Sequence, residues 1–158
     1  MLHFAYGSNM DRAVMRRHAP HAVAMGVAVL ADHRFIITAD GYASVEPKRA
    51  SLVYGVLWRL TPRDRVILDR WECTADGQYR AETLPVKTVQ AIGGGRRRAM
   101  VYIARPRAHG RPKPGYMKLV LAAAQGWHLP AGYLASLETW FARPLGAGTR
   151  DLKEFASP

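Results

Sequence analysis

The chain has 158 residues, of which 49% are apolar and 22% charged; 23 Lys and Arg against 12 Asp and Glu give a net charge of +11. That apolar content excludes a disordered chain, and the longest apolar run, Ala22–Ala31, is about half of what a membrane helix needs. The single cysteine, Cys73, rules out an intramolecular disulfide and any cysteine-based zinc site, and the expected compartment is the reducing cytoplasm. The length suits one domain over residues 1–145, with 146–158 as a loosely held tail. The N-terminus carries no basic leader and enters strand-like sequence at once.

In chain order, Leu2–Tyr6 reads as a first strand that stops at Gly7-Ser8-Asn9, and Asp11–Ala19 as a short helix ended by Pro20. Val23–Ala31 and Arg34–Thr38 read as a strand or a strand pair. Gly41 marks a turn, and Tyr42–Glu46 is a short extended piece ended by Pro47. Leu52–Leu60 is strand-like, and Gly55 within it indicates a bulge or a close approach of another backbone. Thr61 caps the next helix, with Pro62 at its first position and Asp64 as a partial capping box. Val66, Ile67 and Trp71 are assigned to the apolar face of that helix. Tyr79–Gln90 and Arg97–Ala104 form two strands joined at Ile92–Gly95, and Arg105–Pro114 is a Pro-rich loop. Tyr116–Gln125 and Pro130–Phe141 are the last two helices. Strands in sequence with helices inserted singly and then paired predict an α+β fold, a small twisted mixed sheet or β-barrel flanked by helices.

Two places carry chemistry. A strand running into Gly7-Ser8-Asn9 and then a helix leaves backbone N–H groups unpaired and pointing one way, a seat for a carboxylate or an oxyanion. The same residue types also suit a plain capped turn. Glu72 stands at the C-terminal end of an apolar helix beside Trp71 and Cys73. Desolvation and the negative helix end both favour its protonated form, as a general acid/base requires, whereas pairing with Arg70 or Arg80 would make it an ordinary surface carboxylate. Asp69 and Glu46 are weaker candidates for the same space. Tyr79, Tyr102 and Tyr116 could present hydroxyls to a pocket or be packed amphipathic rings. Ser8 has no nucleophile elbow around it, Cys73 reads as a packed apolar residue, and His18 and His21 make a poor metal pair across Pro20.

Charge is unevenly placed. No acidic residue lies between Glu82 and Glu138, while Lys87, Arg96, Arg97, Arg98, Arg105, Arg107, Arg111, Lys113 and Lys118 do. A phosphate backbone could use such a face, but no interleaved aromatics offer stacking, so a solvated face that steers small anions is the expectation and nucleic acid is not.

Taken in order, these segments resemble the γ-glutamylcyclotransferase-like (AIG2-like) family. Ala5-Tyr6-Gly7-Ser8-Asn9-Met10 is similar to its YGSN opening, Val53-Tyr54-Gly55-Val56-Leu57-Trp58 to its central V-x-G-V-x-W strand, and Leu68-Asp69-Arg70-Trp71-Glu72 to its L-D-x-x-E segment. Gly77-Gln78-Tyr79, Val101-Tyr102-Ile103, Pro114–Lys118 and Leu129-Pro130-x-x-Tyr133 continue the match across residues 1–142. Cys73 departs from the glycine the family commonly has after the glutamate. The resemblance implies an enzyme without metal or cofactor that cyclises a γ-glutamyl amide to 5-oxoproline and frees an amine or amino acid. It implies Glu72 as general acid/base, Gly7, Ser8 and Asn9 as substrate holders, and Tyr6, Tyr79 and Tyr116 as the pocket wall. A monomer or homodimer acting on a small molecule is implied, with no membrane partner. A non-catalytic anion-binding module on the same fold is the alternative.

Overall fold

The computed structural model describes residues 1–72, 78–89, 95–105 and 108–141. Five strands close a barrel in the order β1-β3-β2-β4-β5. They are β1 (Leu2–Ala5), β2 (Val23–Ile37), β3 (Ala43–Arg59), β4 (Tyr79–Thr88) and β5 (Arg96–Ala104). All neighbours are antiparallel except β1 and β5, which meet in parallel at His3 and Met100. Four helices surround the sheet, α1 (Arg12–His18), α2 (Pro62–Trp71), α3 (Tyr116–Gly126) and α4 (Ala131–Glu138). The expected α+β mixed barrel with flanking helices is the fold observed.

The barrel is apolar where its strands face one another. Phe4, Ala28, Ile37, Val53, Val56 and Val101 have no accessible surface, and Met10, Leu68, Val120 and Ala124 are equally covered. Gly55 shows why a side chain is absent from the middle of β3. A Cβ there would lie 2.2 Å from the Ala5 carbonyl oxygen and 2.9 Å from the Phe4 ring, so the glycine marks a close approach of β1.

Several element boundaries differ from those read in the sequence. The two segments Val23–Ala31 and Arg34–Thr38 are one strand, interrupted by a bulge where Asp32 takes φ 56° and its carboxylate accepts the Ala50 N–H at 3.0 Å. Pro47 does not end the strand before it: β3 runs through it, opposite His33, in a stretch paired with β2 alone. A strand with one free edge tolerates a residue without an N–H. The Ile92–Gly95 connection is described only at Gly95, and Cys73 and the tail 146–158 lie outside the described residues.

Helix α2 corrects a second expectation. Its start is as predicted, with Thr61 and Asp64 forming a reciprocal capping box and Pro62 in the first turn. Its buried face, however, is not Val66, Ile67 and Trp71, which are 51%, 41% and 53% exposed. Asp64 and Leu68 are covered instead, and one further turn along the same i, i+4 row lies Glu72. Asp64 is tolerated there because Oδ2 accepts from the Thr61 N–H and hydroxyl while Oδ1 accepts from the His21 N–H. Burial pushes its carboxyl up, and those hydrogen bonds outweigh it and leave the group below its ordinary value.

Candidate active site

After β1 the chain turns through a short 3₁₀ segment, Ser8–Met10, before Asp11 caps α1 by accepting the N–H groups of Ala13 and Val14. The Met10 N–H returns to the Gly7 carbonyl and the Asp11 N–H to the Ser8 carbonyl, both at 3.0 Å. This turn lies at one end of the barrel, where β3 begins at Ala43 and α2 ends at Glu72. A small pocket opens between them, lined by His3 to Asn9 of the N-terminal segment together with Ala43, Glu72, Tyr102 and Tyr116.

Glu72 is the ionisable centre of this pocket. The α2 helix ends on it, and its N–H bonds the Leu68 carbonyl at 2.8 Å. Burial raises its carboxyl to about 7, against the opposing effect of a 2.7 Å hydrogen bond from Asn9 Nδ2 to Oε1. Among the described residues neither arginine suggested by the sequence, Arg70 or Arg80, pairs with it; Arg80 bonds Glu82. Asn9 is 6% exposed, and its Oδ1 has no hydrogen-bond partner among the described residues. Such an orphan acceptor beside a carboxylate is a place for an N–H donor.

Tyr116, the first residue of α3, reaches back to the turn. Its hydroxyl oxygen accepts the Ala43 N–H at 3.2 Å, with Gly7 beside it. Burial raises its hydroxyl to about 12. Gly7 is what lets it in, because a Cβ there would stand 2.9 Å from that hydroxyl and 3.3 Å from the Ala43 Cβ. Tyr79 comes to the same place from β4 and donates its hydroxyl to the Ala43 carbonyl at 2.9 Å. Tyr6 lines the pocket as a ring, since its hydroxyl donates to the Tyr102 carbonyl. Burial holds the hydroxyls of Tyr6, Tyr79 and Tyr102 well above the ordinary tyrosine range, so these groups stay neutral near pH 7.

Asp69 faces this site without entering it. Its Oδ1 accepts from the Tyr102 hydroxyl at 2.7 Å and its Oδ2 from Arg65 Nε at 2.7 Å, tying the last turn of α2 to β5 one turn before Glu72. Glu46 lies elsewhere: Arg34 and His109 bind its carboxylate, and it is absent from the pocket wall. His18 stacks on Trp71 at 3.8 Å while His21 lies 3.6 Å from Asp64, so the two histidines serve different neighbours. His3 was not anticipated. It is 2% exposed, lies against the Tyr102 ring at 5.3 Å, and is lowered by burial to about 4. A single histidine inside an apolar strand is its only trace in the sequence. Arg96, Arg97 and Arg98 are exposed on β5.

A family model described as the AIG2-like family matches residues 52–137, more than half of the chain. The chain belongs to the AIG2-like family. The solved structures most like this AIG2-like chain include a gamma-glutamyl cyclotransferase, 24% identical with TM-score 0.80, covering 87% of this chain and 86% of that one. An uncharacterized protein from Homo sapiens matches with the same identity and TM-score over 97% and 93% of the two chains. A yeast gamma-glutamyl cyclotransferase specific to glutathione is 12% identical with TM-score 0.61, covering 90% and 95%. At such identities the likeness is one of fold. No curated protein matches the sequence. Among the described residues, no helix of the AIG2-like chain is long and apolar enough to cross a membrane.

Proposed function

We propose that this protein is a γ-glutamylcyclotransferase-like enzyme that converts a γ-glutamyl amide into 5-oxoproline and a free amine or amino acid. The observation that carries the reading is Glu72, a half-buried carboxyl raised to about 7 that faces a pocket walled by the Gly7–Asn9 turn. A group poised near neutrality can accept and return a proton within one turnover. The family membership and the fold neighbours support the same chemistry.

The reaction needs little else from the protein. The substrate carries its own nucleophile, the α-amine, placed to close a five-membered ring on the γ-carbonyl, so ring closure is intramolecular. Ionised Glu72 takes one proton from the α-ammonium, and the Asn9 Oδ1 accepts another of its N–H groups. The amine nitrogen then attacks the γ-carbonyl carbon, forming a C–N bond and a tetrahedral oxyanion. Backbone N–H groups of Gly7, Ser8 and Asn9 hold the oxyanion or the substrate's α-carboxylate, with Tyr116 and Ser8 completing the seat. Protonated Glu72 gives its proton to the leaving nitrogen and the original amide C–N bond breaks. The regenerated carboxylate takes the second proton from the ring nitrogen and passes it to the released amine, leaving the neutral lactam and an ammonium product. Tyr6 and Tyr79 wall and brace the pocket.

The test is a panel of γ-glutamyl amides, including γ-glutamyl amino acids and γ-glutamyl alkylamines, with 5-oxoproline as the readout. Release from any member supports the enzyme. Ligand binding without 5-oxoproline across the panel would leave the binding module on this fold as the reading.

A further inference from the structure

The turn that carries Ser8 and Asn9 is gripped by α3 from both of its ends. At the N-terminal end the Tyr116 hydroxyl accepts the Ala43 N–H and packs against Gly7. At the other end, ~16 Å along an 11-residue helix, the indole Nε1–H of Trp127 donates to the Met10 carbonyl at 2.8 Å. The Met10 carbonyl follows directly on Asn9, and neither the turn nor α1 supplies it with a backbone donor. Trp127 is itself fixed on both sides, with the Arg12 guanidinium 3.8 Å from its ring centroid and Trp58 edge-on at 5.9 Å.

The end of α3 is shaped to deliver this indole. The Leu129 N–H reaches the Ala124 carbonyl at 3.1 Å and the His128 N–H the Gln125 carbonyl at 2.9 Å, the pair of bonds that closes a helix with a left-handed residue. That residue is His128, at φ 53°, where glycine would be unstrained. The chain thus keeps a side chain in a disfavoured conformation immediately after the residue whose indole reaches the turn.

We infer that Trp127 is a positioning residue, whose indole N–H holds the Met10 carbonyl and so sets the Asn9 side chain against Glu72. Its importance for turnover rests on the proposed role of Glu72, but the contact itself can be tested without any substrate. Among the described residues, Asn9 from the turn hydrogen-bonds Glu72, and four tyrosines act on it electrostatically: Tyr6 from the end of β1, Tyr79 from β4, Tyr102 from β5 and Tyr116 from α3. The four tyrosines are neutral near pH 7, so the Asn9 hydrogen bond is the contact through which a shift of the turn reaches the Glu72 titration.

The experiment compares Trp127→Phe, which keeps an aromatic ring and loses the donor, with Arg12→Met, which removes the cation over the ring and keeps the donor. The Glu72 carboxyl is followed by carbon NMR across pH 5–10, roughly three units on the side where the shift is expected. Loosening the turn weakens the Asn9 bond, and since that bond lowers the Glu72 value, the midpoint rises. Expected is an upward shift of about 0.5 unit in Trp127→Phe and none in Arg12→Met. An unchanged midpoint in folded Trp127→Phe, or equal shifts in both variants, would overturn the inference. Should Trp127→Phe fail to fold, β-(3-benzothienyl)alanine at position 127, isosteric with Trp but without the N–H, decides by the same criterion. If no γ-glutamyl compound is turned over, the midpoint still reports on the contact, which separates this result from failure of the enzyme reading.

Discussion

Replacing Asn9 by Leu removes the hydrogen bond that opposes the desolvation of Glu72 while keeping the branched side-chain shape and excluding water. The bond is 2.7 Å long and runs to a carboxylate, from a residue that is 6% exposed. Hydrogen bonds to charged groups contribute about 1.5–3 kcal/mol, and 1.36 kcal/mol corresponds to one pKa unit, so the midpoint of Glu72 moves up by about 1–2 units. Starting from about 7, it reaches about 8–9, and the ionised fraction at pH 7 falls from about a half to about 1–10%. Carbon NMR of the five glutamates, with the Glu72 signal assigned from Glu72→Gln, reads the midpoint directly. The rate should follow: kcat/KM at pH 7 falls about 5–50-fold from ionisation alone, and the acidic limb of the pH profile moves upward by the same 1–2 units. A Glu72 midpoint that stays near 7, or falls, in folded Asn9→Leu would refute the claim that Asn9 tunes this carboxyl.

The remaining expectations test other parts of the site and the fold. Because the folded-state value of Glu72 is raised from 4.5 to about 7, the native state binds the extra proton and stability declines as pH rises through that window. Glu72→Gln removes the decline and should be more stable than wild type by about 2–3 kcal/mol at pH 8 and nearly equal to it at pH 4, by urea denaturation. Gly7→Ala sets a Cβ 2.9 Å from the Tyr116 hydroxyl, so kcat/KM should fall about 10-fold or more while stability changes by about 1 kcal/mol, the small cost of displacing a side-chain end. Gly55→Ala is the opposite case: its Cβ meets backbone at 2.2 Å, and a loss of about 3 kcal/mol or more is expected from thermal or chemical unfolding. Asp64→Ala removes the carboxylate half of the α2 capping box and the acceptor of the His21 N–H, while the residue-64 N–H still reaches Thr61 Oγ1. It should cost about 1–2 kcal/mol, a difference that shrinks as acid protonates Asp64 in the wild type.

What the sequence made legible is what local chemistry decides. The Thr61-Pro62-Arg63-Asp64 capping box, the glycine forced by close approach at position 55, and the strand–turn–helix around Gly7 each follow from residues adjacent in the chain. The position of Glu72 at the end of α2 followed from the same helix start and length. The buried face of that helix was misread because burial there is decided by polar partners: Asp64 is satisfied by Thr61 and His21, so it lies inside while Val66 and Ile67 lie out. Pro47 misled for a related reason, since whether a proline ends a strand depends on which edge is paired. Contacts between distant segments left no pattern at all. The Trp127 indole on Met10 spans 117 positions and the Tyr102 hydroxyl on Asp69 spans 33, and nothing in the spacing of those residues announces either bond.

The central claim is that Glu72 moves the proton in an intramolecular cyclisation. It is tested most directly by 5-oxoproline release from the best γ-glutamyl amide, wild type against Glu72→Gln, in protein shown to be folded by circular dichroism. Release should fall by about 10²–10⁴-fold, with substrate still bound by the Gly7–Asn9 turn. Full release by folded Glu72→Gln would contradict the account and place the proton transfer on another group.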